Sequence, residues 1–256
     1  MSRLTPATAR PLFILGCVRS GTTLTRDLLR RQPAVICPEE THYFRYGDPI
    51  RTGAFNQRLL KAGTLRKHRE MDGIPEQEFH KMLTRSRSRA ELLCRHVDYM
   101  ARSRGLDSYR WFDKTPQNVY GLPMIMGEFP KARFLHIVRN PLNVVASLKL
   151  GKQMHVSDIY GAINYWIEAV TIIRQMTPAL KGALLEIRYE DIVDDPVASM
   201  EKVLAFSKLG DQVALYSPSD THAERNQYPK VLSDKEQGIV RRRCNRLAKI
   251  YGYALS

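Results

Sequence analysis

Apolar residues in this chain gather into short runs, separated by longer stretches with a helical period. Five runs read as buried strands: Leu12 to Val18, Ala34 to Cys37, Tyr109 to Phe112, Arg133 to Val138 and Leu184 to Arg188. Most are separated by helical segments, the connections that parallel strands require. Thr22 to Arg31 reads as the first helix, stopped by Pro33. Gln117 to Glu128 reads as another, with Pro123 as a first-turn or kink residue. Pro141 opens a helix through Leu150, at the position where its missing N–H does no harm. Asp158 to Met176 is longer and aligns Ile159, Ile163, Trp166, Ile167, Val170 and Ile173 along one side. Val197 to Phe206 follows, and the last helix begins at Ser233, where Ser233 and Glu236 have capping-box spacing. The pattern predicts an α/β fold over residues 1–256, a mainly parallel sheet flanked by helices in a single domain. Residues 45–108 differ: they have helical character and no convincing strand, and read as an inserted helical lobe.

The first run leads directly into Gly16-Cys17-Val18-Arg19-Ser20-Gly21-Thr22-Thr23. The two glycines have Walker A spacing, but Thr22 stands where that loop has its lysine, and the cation sits inside the loop at Arg19. A glycine loop between strand and helix presents backbone N–H groups and a helix N-terminus to an anion. The loop is therefore expected to hold a phosphate-like group, though not in the manner of an ATP or GTP hydrolase. A second stretch, Phe134 to Pro141, ends a strand at Val138 and puts Arg139 on its carboxyl edge, where open α/β sheets bind ligands. Ser147 lies two helical turns further on, so Arg139 and Ser147 are expected to converge on one anion. The two stretches together describe two anion sites on one sheet edge.

Charge supports an anionic ligand. Forty Lys and Arg against 26 Asp and Glu give a net charge of +14, a field that draws in a nucleotide, an acidic glycan or peptide, nucleic acid or an anionic membrane surface. Residues 51–104 carry 13 basic against 6 acidic side chains, half of the whole excess. Cys17, Cys37, Cys94 and Cys244 form no CxxC pair and suggest neither a zinc site nor a disulfide framework, which leaves reduced, buried thiols. No apolar run reaches the ~18 residues that span a bilayer. Arg3, Arg10 and the following apolar stretch run straight into the glycine loop without a cleavage site, unlike a signal peptide. The chain reads as cytoplasmic.

Arg19-Ser-Gly-Thr-Thr23 resembles the loop that binds the 5′-phosphosulfate in sulfotransferases, and Arg139 with Ser147 resembles their 3′-phosphate site. The donor this resemblance implies is 3′-phosphoadenosine 5′-phosphosulfate (PAPS), with adenosine 3′,5′-bisphosphate (PAP) as product. The sequence has no acidic pair near the loop that demands Mg²⁺, so no metal is expected. Arg19 agrees with the tyrosylprotein sulfotransferases and related bacterial enzymes, and Arg19 to Thr41 can be laid on that branch without a gap. Pro38-Glu39-Glu40-Thr41 is similar to its Gly-Glu-Glu-Thr, which implies Glu40 as the base. His42 stands in place of an arginine implicated at the peptide site, a departure that counts against a peptide acceptor. Asp113-Lys114-Thr115-Pro116 resembles the segment supplying a catalytic lysine, Lys114, and Arg188-Tyr189-Glu190-Asp191 the segment whose tyrosine lies near the adenine. Asn226 to Lys230 is similar to a closing loop with a phosphate-contacting lysine, Lys230. The implied cofactor-binding set is Arg19, Ser20, Gly21, Thr22, Thr23, Arg139, Ser147, Tyr189 and Lys230, and the implied catalytic set is Arg19, Glu40 and Lys114.

The resemblance implies in-line sulfuryl transfer to a hydroxyl of a peptide tyrosine, a sugar or a small metabolite. The basic lobe at 45–108 reads either as a solvated helical face or as a border of the site that meets an anionic acceptor. Each residue also has a plainer reading: Arg139 as a surface arginine, Lys114 and Asp113 as an exposed ion pair, Glu40 as a helix cap. His42, His136 and His155 are alternative bases, and Tyr43, Phe44 and Tyr46 either line the acceptor pocket or only pack the loop. Two other functions fit parts of the pattern. A kinase of the same fold needs the lysine missing at Thr22 and Mg²⁺ ligands that the sequence does not offer. A non-enzymatic binder of acidic glycan or nucleic acid would use the basic lobe, but no zinc finger, RNA-recognition signature or basic zipper is present.

Overall fold

The computed structural model describes residues 5–151, 154–222, 224 and 226–255. Strand β1 (Leu12–Gly16) leads into helix α1 (Thr22–Leu29) and the two-residue strand β2 (Val35–Ile36). Four helices follow: α2 (Gly53–Lys61), α3 (Gly63–Met71), α4 (Glu76–Arg85) and α5 (Arg89–Ser103). Then come β3 (Arg110–Lys114), a 3-10 turn at Pro116–Gly121, α6 (Leu122–Glu128), β4 (Arg133–Val138), α7 (Pro141–Leu150), α8 (Ile159–Met176) and β5 (Leu184–Arg188). The chain ends with α9 (Tyr189–Asp194), α10 (Pro196–Ser207), α11 (Tyr228–Val231) and α12 (Asp234–Ile250). The predicted capping box at Ser233 and Glu236 is formed.

Among the described residues the four strand pairs are all parallel, in the order β2-β3-β1-β4-β5. The fold is α/β, as the apolar runs predicted. β1 lies at the centre and is buried along its whole length. Leu12 and Ile14 face Leu28 of α1 and Val203 of α10, while Phe13 and Leu15 face the opposite core. There the Phe13 ring meets Phe44, Trp111, Phe129 and Phe134 at centroid distances of 5.6 to 6.3 Å. Both faces are covered, which is why the strand reads as an unbroken apolar run. The chain continues to one side of β1 through β2 and β3 and to the other through β4 and β5, so the switch point falls at the carboxyl end of β1.

Three local expectations change. β1 stops at Gly16 rather than Val18, because the glycine loop begins there. β3 runs over Arg110–Lys114 rather than Tyr109–Phe112: Phe13 pairs with Asp113 and Ile14 with Lys114, and that register overrides the weak strand preference of Asp and Lys. The helix expected over 117–128 is split. Gly121 lies so close to Phe44 that a Cβ there would sit 1.9 Å from the Phe44 carbonyl oxygen, and α6 restarts with Pro123 in its first turn. Residues 45–108 contain only helices, as the sequence indicated. The four cysteines are buried free thiols.

Candidate active site

The glycine loop is held by two close approaches. A Cβ on Gly16 would lie 2.5 Å from the Ile137 carbonyl oxygen, and one on Gly21, at φ 89°, would lie 2.0 Å from the Tyr189 ring. Arg19 takes φ 69° with a side chain present, a conformation costly for a non-glycine residue. Among the described residues, the buried Ser20 hydroxyl has no hydrogen-bond partner, and no side chain caps the N-terminus of α1. A buried hydroxyl without a partner and uncapped helix amides suit an oxyanion, which would accept from all of them. Thr22 is buried and Thr23 is exposed at the loop mouth.

Beside Thr23 stands a charged pair that the sequence could only suggest. Lys114 is 1% exposed, so the reading of it as a surface ion pair with Asp113 does not hold. Its Nζ donates to Glu40 Oε1 and lies 3.4 Å from Thr23 Oγ1. Asp113 points instead into the interior, where it accepts from Thr41 Oγ1 at 2.9 Å, Asn118 Nδ2 at 2.9 Å and Thr115 Oγ1 at 3.3 Å. Burial pushes its carboxyl up to about 6 against those hydrogen bonds. Asp113 therefore ties the Glu40–Thr41 segment to the end of β3, and Lys114 follows on the same strand. Glu40 caps no helix. Burial would raise its pKa, but His42 Nε2 at 3.5 Å and the Lys114 ammonium outweigh burial and bring it down to about 2. His42 is itself lowered by burial, against the pull of Glu40. Its ring stacks on His68, whose Nδ1 lies 2.9 Å from the Glu40 carbonyl oxygen.

The residues expected to form the second anion site, Arg139 and Ser147, both contact Arg19. Arg139 Nη1 donates to the Arg19 carbonyl oxygen at 3.0 Å, and Arg19 Nε donates to Ser147 Oγ at 2.9 Å. Arg139 and Ser147 thus meet through Arg19 rather than directly. The Arg139 guanidinium lies over the Tyr189 ring, 4.4 Å from its centroid, and the same ring packs against Gly21. Its other face of donors is engaged by Glu224, at 2.8 Å from both Nε and Nη2. Arg139 is no free surface arginine. It already holds an oxyanion in bidentate geometry. Lys230 is exposed on α11, and among the described residues its ammonium has no hydrogen-bond or ion-pair partner.

The other candidates separate cleanly. His136 is buried on β4 and engaged by Glu186 at 2.9 Å, while His155 is exposed before α8. Tyr43 and Phe44 are core residues, and Tyr46 lies between Arg45 and Arg58. Sequence reasoning missed Glu224, Asp72 and His96. Asp72 accepts from the Glu39 backbone N–H at 2.9 Å and faces His96 Nε2 at 2.9 Å, and His96 Nδ1 meets the Tyr43 hydroxyl at 2.7 Å. Glu39 itself is clamped by Arg26 at 2.6 Å and Arg30 at 2.9 Å. No local motif marks these residues, since each acts on a partner distant in sequence. Among the described residues, no group of three or more His, Cys, Asp and Glu is placed to hold a metal ion, and no helix is long and apolar enough to cross a membrane.

Known proteins share both the fold and the sequence pattern. The sulfotransferase domain from the Synechococcus PCC 7002 olefin synthase superposes with a TM-score of 0.69 at 19% identity, with both chains fully covered. Mouse sulfotransferase SULT7A1, solved in complex with PAP, gives 0.54 at 14% identity, covering 98% of this chain and 91% of that one. In sequence, a protein-tyrosine sulfotransferase of Drosophila melanogaster is 24% identical over 200 residues, which are 76% of this chain and 37% of that protein. The chain spans between about a quarter and a half of the length of the curated relatives it matches. Residues 11–212, from the first strand to beyond α10, match the family described as the Sulfotransferase family, and the chain belongs to it.

Proposed function

We propose that this protein transfers a sulfuryl group from PAPS to an acceptor hydroxyl and releases PAP. PAPS supplies the activated sulfuryl group: its S–O bond to the 5′-phosphate breaks as the acceptor oxygen bonds to sulfur, and the acceptor proton leaves. Arg19, Ser20, Gly21, Thr22 and Thr23 bind the 5′ end through the loop amides and hydroxyls, and Ser20 gains the partner it lacks. Arg139 and Ser147 bind the 3′-phosphate, Tyr189 packs beside the adenine, and Lys230 closes on a phosphate. Arg19 and Lys114 neutralise the charge that grows on the leaving oxygen, a form of electrostatic stabilisation set up before the reaction begins.

Glu40 takes the acceptor proton, a role worth ~10² to 10⁴-fold in rate. Held at a pKa of about 2 by His42 and Lys114, it is a weak base. When Lys114 turns toward the leaving oxygen, one of those two contacts is removed and Glu40 becomes more basic as the chemistry needs it. The helical residues 45–108 border the acceptor side, consistent with His68 at the Glu40 carbonyl and Asp72 at the Glu39 N–H. The acceptor is a hydroxyl of a peptide tyrosine, a sugar or a small metabolite.

The observation that carries this reading is the Lys114–Glu40 pair set beside Thr23 at the mouth of the glycine loop. Calorimetry with PAP tests the donor site, and transfer of radiolabelled sulfate from PAPS into peptides, glycans and phenols tests the reaction. PAP binding with label incorporation is expected. A protein stabilised by ATP with Mg²⁺ but not by PAP would overturn the reading.

A further inference from the structure

Three segments that lead away from the site also wall a cavity of about 240 Å³. It is walled by the chain just past His42, by the 3-10 turn that follows Lys114, and by α8, whose Trp166 Nε1 donates to the Arg139 carbonyl oxygen at 2.9 Å. Each wall therefore extends from an element of the site itself. Its side chains are Arg45, Gln117, Tyr120, Asn164, Tyr165 and Glu168, with no aliphatic residue among them. We infer that this cavity is the acceptor pocket and that it takes a neutral sugar ring. The inference rests on the sulfotransferase reading above.

The lining chooses among acceptors. Glu168 accepts from the Tyr120 hydroxyl at 3.0 Å, and among the described residues neither Glu168 nor Arg45 has an ion-pair partner. One cation and one anion leave the pocket near neutral inside a strongly basic protein, so an acidic peptide would meet Glu168 without a surplus of cations to offset it. A sterol, an acyl chain or a simple phenol would offer the Arg45 guanidinium and the Gln117 and Asn164 amides no hydrogen-bond partner. A sugar ring satisfies all of them. Its hydroxyls both donate and accept, matching Glu168, Arg45, Gln117 and Asn164, and its C–H faces can pack on Tyr120 and Tyr165. The volume lies below the ~300 Å³ from which drug-sized sites begin and suits one ring rather than a polymer segment.

Saturation-transfer NMR on the full chain, with and without PAP, would probe methyl β-glucoside, methyl β-galactoside and methyl N-acetyl-β-glucosaminide. At least one is expected to receive saturation, and Glu168→Ala and Tyr165→Ala are expected to remove it. In sulfate transfer, the same variants and Asn164→Ala should raise the KM for a glycoside acceptor at least tenfold, with PAP affinity by calorimetry within twofold of wild type. That unchanged affinity also certifies that the variants are folded. The proposal is overturned if no glycoside receives saturation. It is equally overturned if sulfate goes to phenols or tyrosine peptides with a KM indifferent to all three variants. Loss of PAP binding by the wild type would strike the donor reading instead, and the NMR of the free protein would still decide the pocket.

Discussion

Glu224 grips Arg139 with both carboxylate oxygens, each 2.8 Å from a guanidinium nitrogen, although the two residues are 85 positions apart. Burial raises the Glu224 carboxyl, and Arg139 opposes that rise. An oxyanion bound by Arg139 must displace this carboxylate or share the guanidinium with it.

Glu224→Gln should therefore tighten PAP binding, by roughly fivefold if the pair is worth about 1 kcal/mol. Arg139→Ala should weaken it by ~10 to 100-fold, the loss of a charge-assisted contact of roughly 1.5 to 3 kcal/mol. Calorimetry with PAP reads both. Equal affinities in all three proteins would remove Arg139 from the donor site.

Gly21→Ala should be among the most damaging single changes in the loop. The new methyl would meet the Tyr189 ring at 2.0 Å and force an alanine to φ 89°, a strain of roughly 1 to 3 kcal/mol before the clash is counted. A lower melting temperature and lost PAP binding are expected. Gly21→Ala with Tyr189→Ala should recover part of the stability, since only the clash is relieved.

Glu40→Gln should leave PAP affinity within about twofold and cut turnover by ~10² or more, the scale of general-base catalysis. Turnover within twofold of wild type would assign the base elsewhere, with His42 Nε2 3.5 Å from the Glu40 carboxylate as the imidazole at hand. Lys114→Met should reveal the coupling differently, because removing the ammonium lets burial raise the Glu40 carboxyl. The carboxyl titration followed by NMR should move upward from about 2.

Stability should respond to acid in two opposing ways. Glu40, lowered from 4.5 to about 2, contributes stability that is complete above pH 4.5 and is lost as the pH falls toward 2. Asp113, raised from 3.8 to about 6, does the reverse: between those values the folded state keeps a proton that the unfolded chain releases, so stability falls as the pH rises through that window. Between pH 4 and 6 the melting temperature of the wild type should fall relative to that of Asp113→Asn. An unchanged slope in that variant would mean Asp113 is ionised throughout.

Short apolar runs and glycine spacing were enough to determine the parallel sheet, the glycine loop and the helices over 141–150 and 158–176, because strand burial, proline placement and capping are local and repeat along the chain. The helical nature of residues 45–108 was legible for the same reason. Register and distant pairing were not. Asp113 and Lys114 look like loop residues until β1 draws them into β3, and only then does Lys114 reach Glu40 and Asp113 reach Thr41. Glu224 on Arg139 and Asp72 behind Glu39 have no sequence signal at all, because a charge pair depends on distance in space and carries no period along the chain. Tertiary packing alone decided which of the many cations stand together at the carboxyl edge of the sheet.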